Sequence, residues 1–305
     1  MAMAWILARQ ILQMFLLAGL GYALFKAGKV SQEGSKAIGN ILIYLVLPAT
    51  IIKGFLVERT TEHLTGILYS AIGAAVLLLI SMAVSRLIFR RNGIAAFAGA
   101  FSNPGFFGIP LIIASVGEGA VFYVACFVAF LNIGQWTYGV SLLTGQPIRQ
   151  GLQPAKLIRA PFVIAILTGL ALFLTQLPLP TVITGPLASV AALNTPLAMF
   201  TVGIYLAQSD IPAMLRRKSI YAVALVRLLA VPAISLLLLS VLPASLQPMK
   251  LALLLAISCP VGSNVAVYAQ LHGKDYPYAV GTVILSTLFS LITIPALIWL
   301  TSVVW

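Results

Sequence analysis

Ser102-Asn103-Pro104-Gly105-Phe106-Phe107-Gly108-Ile109-Pro110 interrupts an apolar run near its middle, with 94–101 before it and 111–116 after it. Pro104 and Pro110 have no amide N–H, and Gly105 and Gly108 weaken helix further. Lipid offers no hydrogen-bond partner to a freed backbone group, and each one left unpaired costs several kcal/mol. Such an interruption persists only where it is buried in protein or lines a wet cavity. A second interruption, Ser258-Cys259-Pro260-Val261-Gly262-Ser263-Asn264, breaks the apolar run 251–271. At an offset of 156 residues Ser102 falls on Ser258, Pro104 on Pro260 and Gly117 on Gly273. Paired breaks at corresponding places in two halves point to the binding site of a secondary transporter.

The rest of the chain supplies the membrane. Of its 305 residues, 61% are hydrophobic and 8% charged, and the mean hydropathy is +1.08. That is the composition of a polytopic membrane protein, and residues 1–305 read as one membrane domain. Ten apolar segments can be drawn, at 5–25, 38–57, 65–88, 94–116, 119–143, 161–177, 185–207, 219–242, 250–271 and 277–302. No basic region precedes Trp5 and no small-residue cleavage site follows, so the first segment is expected to stay as a span.

Charge sets the orientation. The net charge of +12 does not point to nucleic acid, because the cations sit between apolar runs. Lys26, Lys29 and Lys36 follow the first segment, and Arg86, Arg90 and Arg91 the third. Arg149, Lys156 and Arg159 follow the fifth, and Arg216, Arg217 and Lys218 the seventh. By the positive-inside rule these connections are cytoplasmic and both termini lie on the outer side. Five spans per half is an odd number, so a first repeat (1–144) and a second (161–305), joined by a cytoplasmic linker (145–160), insert in opposite senses. The fold class expected is all-α, with ten transmembrane helices in two inverted five-helix repeats and broken, crossing fourth and ninth helices.

Such a crossing suits an anion. The helices restarting after each break run in opposite directions, so their N-termini meet near the midplane. Each carries roughly +0.5 charge and free N–H donors. Asn103, Ser263 and Asn264 add uncharged donors and acceptors, Pro104 and Pro260 mark the breaks, and Gly105 and Gly108 let a ligand approach the backbone. Asn132, Gln135 and Trp136 in the fifth span either line the cavity or serve as interhelical hydrogen-bonding groups and interfacial anchors. Arg227 is the cation placed deepest in a span; it either contacts or gates the anion, or pairs with backbone carbonyls or snorkels. The six acidic residues all fall in or beside connections, which disfavours a cation carrier relying on carboxylates. His63 and His272 are also in connections and make no metal site with Cys126 or Cys259, so an intramembrane enzyme lacks its parts.

Asn103-Pro104-Gly105-Phe106-Phe107-Gly108-Ile109-Pro110-Leu111, then Gly117-Glu118-Gly119, then Asn132 and Trp136-Thr137, resembles the auxin efflux carrier family. Its bacterial members are often described as permeases for malonate or other organic acids. The resemblance implies crossing broken helices in two inverted repeats, and a transport subdomain that moves against a scaffold as an elevator. Plant members have a long hydrophilic loop where this chain has only 145–160, which fits a bacterial, inner-membrane type. Relatives of this architecture include sodium-coupled bile acid transporters, so a coupling ion, Na⁺ or H⁺, stays open; no other cofactor is implied. The function expected is secondary transport of a mono- or dicarboxylate, malonate- or auxin-like. The alternatives are a sodium-coupled organic-anion symporter and an anion channel. The expected partners are the substrate, the lipid bilayer and a second copy of the chain.

Overall fold

A computed structural model describes residues 2–148 and 159–305. Most of the linker expected at 145–160, including Arg149 and Lys156, lies outside the described residues. Among those residues the protein is all-helical, without a strand. The helices are α1 (Ala2–Lys26), α2 (Gln32–Gly54), α3 (Thr61–Ile88), α4 (Gly93–Ala100), α5 (Pro104–Ser115) and α6 (Glu118–Thr144). They continue as α7 (Pro161–Thr175), α8 (Thr181–Ala207), α9 (Ile211–Leu215) and α10 (Lys218–Ser240). The last three are α11 (Ala244–Ser258), α12 (Asn264–Leu271) and α13 (Tyr276–Val304). Seven of them, α1, α2, α3, α6, α8, α10 and α13, are long and apolar enough to cross a membrane.

The remaining apolar runs are divided or short. Residues 94–115 form α4 and α5, with Phe101, Ser102 and Asn103 outside both. Residues 250–271 fall in α11 and α12, with 259–263 outside both. Helix α7 has 15 residues.

Local chemistry explains the boundaries. Ser31, Thr60, Asn92 and Asp275 cap α2, α3, α4 and α13, each accepting from a first-turn amide. All six acidic residues sit at helix starts or in connections, where a carboxylate meets free amides. Gly117 and Gly273, the pair related by the 156-residue offset, both close their helices with positive φ, 110° and 61°.

Prolines widen three helices. Pro48, Pro110 and Pro232 each stand two residues after a π turn, at Leu42–Val46, Pro104–Gly108 and Val226–Ala230. A proline ring clashes with the carbonyl four residues back. The i→i−5 pattern relieves that clash, and the amide of Val231 accordingly bonds the carbonyl of Val226.

Helices α2, α7 and α8 pack together, and α1 lies along α8. The α1–α8 approach is close because Gly21 faces the backbone of Phe200 and Gly203 faces the carbonyl of Ala18. Helices α3, α5, α6 and α10 gather around α11, which is buried from Met249 to Ser258. Helix α1 also touches α5 and α13, joining the two groups.

Candidate functional site

The two non-helical segments touch. Ser102 and Val261 form an isolated antiparallel bridge, and the amide of Gly262 donates to the carbonyl of Phe101 at 3.0 Å. A helix end leaves backbone groups unpaired, and here each segment supplies partners for the other. The amide of Val261 donates to Ser286 Oγ on α13 at 3.0 Å. Close approach requires glycine at 262, since a Cβ there would stand 2.7 Å from the carbonyl oxygen of Ser102.

A small cavity of about 50 Å³ lies beside this contact. The start of α5 lines it with Asn103, Pro104, Gly105 and Phe106, and the start of α12 with Gly262, Ser263 and Asn264. Asn132 and Gln135 reach it from α6, beside Leu47, Val128 and Leu131. The lining holds four side-chain amides and two hydroxyls, those of Ser102 and Ser263, and no ionised side chain. Two helix N-termini therefore supply its positive potential, together about one elementary charge.

Hydrogen bonds hold the lining. Asn264 Nδ2 donates to Gln135 Oε1 at 2.7 Å. Asn132 Nδ2 donates to the carbonyl of Val128 in its own helix at 2.7 Å. Asn194, on α8, donates to the carbonyl of Gly105 at 3.2 Å, which fixes the start of α5 against the other helix group. Ser102 Oγ, 1% exposed as a residue, and Asn194 Oδ1 are buried without a partner. Buried polar atoms are normally bonded, so these two are open to a ligand or to water.

Six of the residues expected at the site share this cavity: Asn103, Pro104, Gly105, Asn132, Ser263 and Asn264. Three do not line it. Gly108 packs against the end of α11 and the residue that follows it: a Cβ would stand 2.9 Å from Cys259 Sγ. Pro260 is buried in the second interruption. Arg227 is fully buried and bonds oxygens of other helices. Its Nη1 donates to Ser81 Oγ at 3.1 Å, to the carbonyl of Gly99 at 3.2 Å and to that of Ala100 at 3.1 Å, and its Nη2 donates to the carbonyl of Ile257. These bonds engage the guanidinium with backbone carbonyls of α4 and α11. The apolar lining residues Leu47, Phe106, Val128 and Leu131 carry no signal in the sequence that sets them apart from other core positions.

A larger hollow of about 490 Å³ lies elsewhere, among Lys53, Leu56, Val57, Glu118, Thr184 and Leu187. Lys53 Nζ and Glu118 Oε1 pair at its edge at 2.8 Å. Its lining holds no side-chain amide, unlike that of the smaller cavity.

Residues 6–298 match a family described as membrane transport protein. The chain is also 28% identical to a Rhizobium meliloti (strain 1021) protein named "Putative malonate transporter", over 95% of this chain and 94% of that one. A match over nearly the whole length, together with the apolar helices, makes the chain a transporter and not an enzyme. The chain belongs to the membrane transport protein family, that of the auxin efflux carriers.

Proposed function

We propose that the chain is a secondary carrier of a small organic anion, a mono- or dicarboxylate such as malonate, bound where α5 and α12 begin. One observation carries this reading: both helix N-termini and four side-chain amides converge on a single cavity with no ionised side chain in its lining. A carboxylate there accepts from backbone and amide N–H groups, and Leu47, Val128 and Leu131 take the carbon skeleton. The name of the Rhizobium meliloti relative supports malonate as the first substrate to try.

The wider architecture belongs to the same proposal. The pairs α4/α5 and α11/α12 are read as single spans broken at their midpoints. With α7 and the seven long helices they make ten spans, in repeats 1–144 and 161–305 related by inversion. Both termini then face outward across a bacterial inner membrane, and two copies pair as a homodimer. Helices α1, α2, α7 and α8 are the scaffold, and the remainder moves as an elevator carrying the site. The matching φ signs at Gly117 and Gly273 and the contact between the two interruptions support this reading.

Counterflow in liposomes tests it. Purified protein should exchange internal malonate for labelled external malonate. Asn103→Ala should reduce uptake about tenfold or more, the effect of losing one hydrogen bond to a charged group. Failure of folded protein to move any mono- or dicarboxylate would end the proposal.

A further inference from the structure

Arg227 bonds the helix ends that lead into the two interruptions. The helices that stop at the two interruptions are α4, ending at Ala100, and α11, ending at Ser258. One guanidinium donates to the carbonyls of Gly99 and Ala100 on the first and of Ile257 on the second. Ser81 Oγ, on α3, accepts from the same Nη1 and itself donates to the carbonyl of Ala100 at 2.7 Å. Each helix C-terminus carries roughly −0.5 charge, so the two together call for about one positive charge. Arginine keeps that charge when buried, and its planar fork can reach two helices at once.

In carriers built on broken helices, half-helix C-termini and unwound carbonyls are where a coupling Na⁺ is coordinated. Here those oxygens already surround a guanidinium. A metal ion entering would lose them as ligands and would meet a like charge in a medium of low dielectric. From this we infer that Arg227 is a resident cation that takes the place of a mobile coupling ion at the paired C-termini, so that transport does not depend on Na⁺. Arg227 is then a positioning residue, joining the two interrupted segments whose other ends hold the substrate. The inference rests on the carrier reading for its transport consequence, but cation binding at the C-termini is measured without transport.

Two measurements on the full-length protein test it. Malonate counterflow should proceed at the same rate when external Na⁺ is replaced by choline; a stimulation by Na⁺ of about tenfold or more would overturn the inference. Thermal unfolding is measured in NaCl, LiCl and choline chloride, because an ion that fills a site on the folded state raises its midpoint. Wild-type protein should unfold at one temperature in all three salts. Arg227→Gln should unfold lower in choline and recover in Na⁺ or Li⁺, since a small cation can fill the vacated oxygens. A merely structural arginine would leave the variant's salt response equal to that of the wild type, and that result would also overturn the inference. If Arg227→Gln does not fold, Arg227→Lys decides. It keeps the charge and should remain insensitive to Na⁺; a Na⁺-dependent midpoint in that variant counts against the resident cation. Absence of all anion uptake, with this pattern of unfolding intact, would remove the carrier reading and leave the cation assignment standing.

Discussion

Asn264 gives its side-chain amide to Gln135 Oε1 across 2.7 Å, which ties the start of α12 to the π turn of α6. Gln135 is 1% exposed, so its amide cannot exchange this partner for bulk water, whereas Asn264 is half-buried. The bond sets the shape of the cavity wall between the second interruption and α6.

Removing one partner strands the other. Gln135→Ala or Asn264→Ala should each destabilise the fold by about 1–3 kcal/mol, the desolvation cost of an unpaired buried amide. The double variant should fall short of the sum, with a coupling of about 0.5–3 kcal/mol. Chemical unfolding of the four proteins in detergent measures this, and strict additivity would show that the bond contributes nothing.

Glycine at 262 is set by the contact between the interruptions. Gly262→Ala puts a methyl group 2.7 Å from the carbonyl oxygen of Ser102. Backbone atoms cannot swing aside as a side chain does, so the bridge should open at a cost of about 1–3 kcal/mol. Anion uptake should drop by more than the loss in folded protein explains. Gly19→Ala, where a Cβ meets nothing within 4 Å, is the matched control and should leave both quantities unchanged.

The α1–α8 seam gives a stability prediction away from the site. Gly203 faces the carbonyl of Ala18 so closely that any Cβ must move a helix. Gly203→Ala should lower the unfolding midpoint by the equivalent of about 1–3 kcal/mol. Gly185→Ala, in the same helix with open space around it, should raise stability slightly or leave it alone.

The ion pair between Lys53 and Glu118 should matter little to stability. Its side chains are 32% and 62% exposed, so water and salt screen the attraction. Glu118→Gln should change the unfolding free energy by no more than about 1 kcal/mol, with the difference shrinking as salt rises. A larger loss, insensitive to salt, would mean that the pair is shielded by a partner or by lipid headgroups.

Much of this protein could be read from residue order. Apolar runs of spanning length, cations gathered in alternate connections, and acids kept in or beside connections follow from what a bilayer tolerates. Pro104 and Pro260 announced interruptions because a missing N–H is a local, covalent fact. Asn103, Asn132, Ser263 and Asn264 were legible as polar groups in apolar surroundings, where an unpaired amide is expensive. The π turns ahead of Pro48, Pro110 and Pro232 have the same local origin, although the width of the turn was not foreseen.

Tertiary structure alone decided which carbonyls Arg227 would find. Its partners lie 146 positions away at Ser81 and 30 away at Ile257, on three different helices. A lone arginine in an apolar run reads equally well as an anion ligand or as a clamp, because its charge is local while its acceptors are not. The same holds for Asn194 with Gly105 and for the bridge from Ser102 to Val261. Covalent order can announce that a backbone group is orphaned; only the packing of distant helices determines what satisfies it.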